Sequence, residues 1–265
     1  MRRAPRWVAA AVVAAAWVGA CSDVGTAPDG IVALAFDTLP YPSVVAGDTM
    51  RDSTGRAAPL SAVAYNADGN VIAEPAVRYI VLDTGVVISS QGYLIATTRT
   101  SGTVRVVAAA ASLQSLQKTV TVTRAPTQLA ASGATSDTLI YASPDTASKN
   151  VSKAMTVKLT RDSAGTALNV PGFLVSWLVT FRGQTILRTD TTLASLWEDA
   201  TTRRVSLVDT TGADGTAART LRIRSNALPS TADSFVVFAS TRYRGAVVAG
   251  SPVRFVIHFR PKPTR

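Results

Sequence analysis

Few side chains in this sequence could do chemistry, and each sits in a setting that narrows what it can do. Cys21 is the only cysteine and His258 the only histidine. A lone thiol can be acylated but cannot close an intrachain disulfide, and a lone imidazole excludes a two-histidine metal centre. Serines and aspartates abound, yet no Gly-x-Ser-x-Gly turn places a serine as a nucleophile. Oxygen ligands gather in two turns, Asn66/Asp68/Asn70 and Asp209/Asp214. Calcium takes roughly six to eight oxygens, more than either turn offers, and Asp and Asn are also the preferred turn formers. Both read as turns. Arg222, Arg224, Arg254, His258 and Arg260 alternate with apolar residues on two strand-like segments. If those strands are neighbours they make a basic strip for anionic glycan or lipid head groups; otherwise they are the charged outer face of a sheet, which resists aggregation. Trp197, in Ser195-Leu196-Trp197-Glu198-Asp199, falls in an expected loop or short helix. There it either stacks on a sugar or partner or covers a sheet end. No residue is assigned a catalytic or metal-binding role, and no cofactor is expected.

The setting of Cys21 is the most informative. Arg2, Arg3 and Arg6 precede an uncharged apolar run over residues 7–20, the layout of a secretory leader. The run is shorter than the ~20 residues a membrane-crossing helix needs. It ends in Val18-Gly19-Ala20-Cys21, where small residues let the backbone lie in a peptidase cleft. These four residues resemble the lipobox of bacterial lipoproteins. The resemblance implies cleavage after residue 20, a diacylglycerol thioether on Cys21 and membrane attachment through it. Two or more acyl chains hold stably where one holds marginally. Ser22 stands where an aspartate would retain a proteobacterial lipoprotein in the inner membrane, so the analogy points to the outer membrane of a bacterial envelope.

The formal net charge is +10, and loss of Arg2, Arg3 and Arg6 with the leader leaves +7. That balance suits acidic surfaces such as an envelope protein or anionic polysaccharide. Nucleic acid is not expected as a partner, since no recognition motif occurs. The core must hold by packing alone.

Residues 22–29 read as a polar tether, at most ~29 Å long when extended. From residue 30 onward strand-like segments alternate with Gly, Asp, Asn and Pro punctuation. Strands are expected near 32–38, 60–65, 77–82, 93–97, 104–109 and 119–123. Residues 108–116 have helical composition, but their place among Val-rich segments favours a strand and a loop. Pro126 breaks the ladder in Arg124-Ala125-Pro126-Thr127 and marks a boundary. Beyond it, Met155, Val157 and Leu159 alternate with Thr156, Lys158 and Thr160. Residues 173–181, apolar on both faces and carrying Trp177, read as a central strand. Leu221 and Ile223 alternate with Thr220, Arg222 and Arg224, and Val253, Phe255, Ile257 and Phe259 with Arg254, Val256, His258 and Arg260.

Val45-Ala46-Gly47-Asp48-Thr49, the stretch 62–70, Gly92-Tyr93-Leu94-Ile95-Ala96 and Gly102-Thr103-Val104-Arg105-Val106 resemble the bacterial immunoglobulin-like group 2 domain. Tyr79 stands where that family usually has a tryptophan. Arg161-Asp162-Ser163-Ala164-Gly165-Thr166 and the turn 210–217 resemble the invasin/intimin type, with residues 182–204 as an insertion or enlarged loop. The expectation is an all-β chain: leader 1–20, lipidated tether 21–29, and two tandem Ig-like antiparallel β-sandwich domains at 30–124 and 127–263. The role the resemblance implies is a non-catalytic binding, adhesion or spacer module at the cell surface. Alternatives are a structural or assembly lipoprotein of the outer envelope and a glycan-active enzyme.

Overall fold

Buried and solvent-facing residues alternate through most of the chain, as half-buried strands require. A computed structural model describes residues 30–141, 150–189, 192–199, 201–224, 228 and 231–262; the leader, Cys21 and the tether lie outside the described residues. Among the described residues every regular element is a strand.

The first set comprises β1 (Ala33–Ala35), β2 (Ser43–Val45), β3 (Val63–Tyr65), β4 (Arg78–Val81), β5 (Val86–Ile88), β6 (Leu94–Ala96), β7 (Gly102–Ala110), β8 (Leu113–Gln114) and β9 (Lys118–Thr123). Strands β2-β9-β7-β4 form one sheet, with β8 on β7, and the pairs β1-β3 and β5-β6 complete the set. Val104, Val106, Val120 and Val122 project from the larger sheet into a core shared with Phe36, Ala64 and Leu94. Residues 108–116 are strand, turn and strand rather than helix.

The second set follows after residues 124–127. It comprises β10 (Gln128–Ala131), β11 (Ser136–Tyr141), β12 (Met155–Ser163), β13 (Thr166–Asn169), β14 (Leu174–Phe181), β15 (Gln184–Ile186), β16 (Ala194–Trp197), β17 (Val208–Thr210), β18 (Thr216–Ile223), β19 (Asp233–Ser240), β20 (Arg242–Tyr243), β21 (Ala246–Val247) and β22 (Val253–Pro261). One sheet runs β10-β12-β18-β16 with β13 on β12. The other runs β11-β22-β19-β14-β15 with β17 on β14. Trp177 on β14 stacks against Phe255 on β22, with centroids 6.0 Å apart. Phe235 meets Phe181 at 4.8 Å and Phe259 at 5.2 Å. Each set is an Ig-like β-sandwich, held without disulfides by apolar burial worth roughly 25 cal/mol per Å².

Three expectations need correction. The sandwiches are not wholly antiparallel: β2 runs parallel to β9 and β11 parallel to β22, because the second strand of each sandwich lies beside its last. Residues 182–204 are not an enlarged loop alone: they carry β15 and β16, which stand at the edges of the two sheets. Residues 173–181 do form an interior strand, but Ser176 and Leu178 face solvent, so only one face of it is covered.

Candidate functional site

A cluster of charged side chains lies where the two sandwiches meet. In the turn after β2, Gly47 adopts a φ of 75° and its N–H bonds to Ala96 O at 2.9 Å, which turns the Asp48 carboxylate toward the second sandwich. Asp48 is 8% exposed. Its Oδ1 accepts from Thr49 N at 2.8 Å and from an Arg51 guanidinium nitrogen at 2.9 Å. Its Oδ2 accepts from Arg51 Nε at 3.0 Å, Tyr243 Oη at 2.9 Å and Arg244 Nε at 3.0 Å. The last two donors come from the hairpin joining β20 and β21. Arg244 and Gly245 both take positive φ there, the backbone of a type I′ turn.

Burial alone would push the Asp48 carboxyl up, but hydrogen bonds from Arg51, Arg244, the Thr49 amide and Tyr243 outweigh it and hold the group well below the usual carboxylate range. Its lone pairs are filled and its charge is fixed. Beside it Tyr41 contacts Phe173 edge-on at 5.6 Å, and Phe173 contacts Tyr243 at 6.2 Å. Leu174 N donates to Tyr41 Oη at 2.9 Å. Burial pushes the Tyr41 phenol up to about 12, against the smaller opposing effect of that bond. The space left among these residues is ≈ 20 Å³, room for about one water. The Asp48 cluster can position two bodies, but it offers neither a proton carrier near neutrality nor, in the ≈ 20 Å³ beside it, space for a substrate.

Backbones also approach closely here. A Cβ on Gly55 would fall 2.0 Å from Gly245 N, and one on Gly172 would fall 2.9 Å from the Ser43 Cβ. Neither the Asp48 hub nor these glycine contacts was anticipated from sequence, because the partners are distant in the chain and carry no shared motif.

The residues singled out from sequence have separate fates. Cys21 lies outside the described residues. Arg222 and Arg224 do not join Arg254, His258 and Arg260, since β18 and β22 belong to opposite sheets. Arg222 is 1% exposed, its guanidinium 5.8 Å from the Trp197 ring centroid. Trp197 lies in β16 rather than in a loop or helix, and it is buried. Arg222 covers it, so neither is offered to a ligand. Arg224 is exposed just past the end of β18. Asn66, Asp214 and Asp209 are engaged locally: Asn66 Oδ1 accepts from Asp68 N and Asn70 N at 3.1 and 2.9 Å. Asp214 binds the Thr216 amide and hydroxyl, and Asp209 pairs with Arg219 at 2.9 Å.

Arg254, His258 and Arg260 do share one surface, the outer face of the β11-β22-β19-β14-β15 sheet. Cross-strand register places Leu178, Phe238 and Arg254 in one row. Thr180, Val236, Val256 and Ser136 make the next row, and Ser234, His258 and Thr138 the one after. Clefts lie at both ends of this face. One of ≈ 260 Å³ is lined by Thr138, Asp233, Ser234, His258 and Arg260. The other, of ≈ 330 Å³, opens at the junction, lined by Ser176, Val208, Ser240 and Arg242 of this sandwich and by Tyr41 and Ser53 of the first.

No protein-family model matches the chain, and no curated protein matches it in sequence. Among solved structures, the Yersinia pseudotuberculosis adhesin InvE is similar at 12% identity and a TM-score of 0.31, over 82% of this chain and 56% of that one. Domains 1–6 of the surface layer protein SbsC give the same identity and score over 88% of this chain and 28% of theirs. A glycosyl hydrolase family 2 member from Bacteroides cellulosilyticus gives 11% and 0.28, over 85% and 24%. The chain thus spans about half of the adhesin structure and about a quarter of the other two. At such scores these likenesses carry no argument, and the fold rests on the chain's own sheets.

Proposed function

We propose that this chain is a lipid-anchored, non-catalytic binding and spacer module of the bacterial cell envelope, in which two Ig-like sandwiches form one stiff body. The observation that supports it is the saturated Asp48 carboxylate, which takes donors from both sandwiches. A carboxylate locked in its charged form is poor machinery for proton transfer but good at fixing an angle between domains. Attachment rests on the lipobox resemblance at Cys21 and on the short reach of residues 22–29.

Two measurements test the two halves. Growth with an alkyne fatty acid should label the wild-type chain and leave Cys21→Ser unlabelled and released from the membrane fraction; equal labelling of both ends the anchoring half. Spin labels at Asn70 and Arg188, one on each sandwich, should give one narrow distance distribution at neutral pH. A broad distribution contradicts the stiff spacer.

A further inference from the structure

The outer face of the β11-β22-β19-β14-β15 sheet carries a pattern that the spacer role leaves unused. Its outward strand positions include the apolar Leu178, Val236, Phe238 and Val256 at the centre and Arg254 and Arg260 along β22. None of the outward positions in the register rows described above is Asp or Glu. Asp233, at the start of β19, is held at 2.9 Å by Arg182. The Arg254 and Arg260 side chains are exposed and make no ion pair or hydrogen bond among the described residues. A sheet face with unopposed positive charge calls for an anionic ligand.

The rest of the face says what kind. Its two clefts hold 260 and 330 Å³ and are lined by hydroxyls, Thr138 and Ser234 at one end, Ser176 and Ser240 at the other. Each cleft also has an arginine, Arg260 or Arg242. Between them lies the strip of Phe238 and aliphatic side chains, flat because strands present it. Hydroxyls and guanidinium groups at intervals along a flat apolar strip fit a chain of rings bearing hydroxyls and carboxylates, with C–H faces turned to the strip. A compact acidic protein would need only the charge, and nothing in that case would use the hydroxyl-lined clefts.

We infer that this face binds an anionic polysaccharide of the uronate type, laid along β19 from the Arg260 cleft to the Arg242 cleft. The inference deepens the binding half of the function proposed above; it does not depend on acylation of Cys21, and its Arg260 cleft lies wholly within the second sandwich.

The test uses the full chain in detergent micelles and polygalacturonate as the probe, with neutral dextran and polyglutamate beside it. Polygalacturonate should bind at low salt and dextran should not. The exposed double variant Arg254→Gln/Arg260→Gln should weaken binding roughly tenfold, the effect of about 1.4 kcal/mol. Arg56→Gln/Arg78→Gln, exposed on the first sandwich, should change nothing. Binding should fall away near 1 M salt, where screening acts within ~3 Å. Absence of binding at low salt, an unaffected Arg254/Arg260 variant, or polyglutamate binding as tightly as polygalacturonate would each overturn the inference, the last in favour of an acidic protein partner. Such a failure would leave the spin-label distances unaltered, so it is distinct from failure of the spacer reading.

Discussion

Arg244 Nε lies 3.0 Å from Asp48 Oδ2, a bond between residues 196 positions apart in the chain. Arg51, three residues after Asp48, grips the same carboxylate from its own sandwich with two nitrogens. One buried anion therefore answers to two cations on different bodies, and removing it leaves both without their shared partner.

Asp48→Ala should accordingly destabilise the protein by roughly 2–3 kcal/mol, less than a fully buried pair because Arg51 and Arg244 are partly solvated. The loss should appear as uncoupling: a single denaturation transition splits into two, one for each sandwich, when followed by tryptophan fluorescence and far-ultraviolet dichroism. One unshifted transition would show that the hub does not couple them.

Acid should act at the same place. The folded Asp48 carboxyl titrates far below its unfolded value, so its contribution is fully present above the unfolded pKa of about 3.9 and is lost as pH falls from there toward the folded value. Spin-label distances across the joint should be constant from pH 8 to about pH 5 and broaden below about pH 4. Asp48→Asn should abolish that dependence. Asp83→Asn should preserve it, since Asp83 pairs with an exposed arginine within the first sandwich.

Gly55 and Gly69 form a matched pair. Both have positive φ, 90° and 79°, so alanine strains the backbone at either, by about 1–2 kcal/mol. Only at Gly55 does the new methyl strike another sandwich, 2.0 Å from Gly245 N; at Gly69 nothing lies within 4 Å. Gly55→Ala should therefore lengthen the distance across the joint, measured by spin labels, while Gly69→Ala should only lower the melting temperature.

Phe235 is fully buried between Phe181 and Phe259. Phe235→Ala should cost about 3–5 kcal/mol and lower the second transition of the uncoupled Asp48→Ala protein. If the first transition moves instead, the assignment of the two melts to the two sandwiches is wrong.

How far the sequence discloses all this depends on what each signal measures. Period-two alternation locates β12 and β22, where polar residues stand between core residues, and it places Arg254, His258 and Arg260 on an outer face. It passes over β19, because Phe235-Val236-Val237-Phe238 is apolar at every position and its outer half is part of the exposed strip. It passes over β2 and β16, at three and four residues too short to show a period. For Arg222 the alternation is right and the inference from it is not. The residue points away from the core, yet Trp197 lies against it, so facing outward did not mean meeting water. The junction is the least legible part. Gly47-Asp48 reads as an ordinary turn, and nothing near it names the Tyr243-Arg244 hairpin as its counterpart.

The parallel pairing of β2 with β9 and of β11 with β22 has a mechanical corollary. Tension drawn through a chain held at one end and pulled at the other runs along these strands in opposite senses. Their bonds are then strained side by side in shear instead of parting one after another, as the teeth of a zip do. Each sandwich closes with such a clasp, so a tug between the two ends of the chain meets collective resistance twice over.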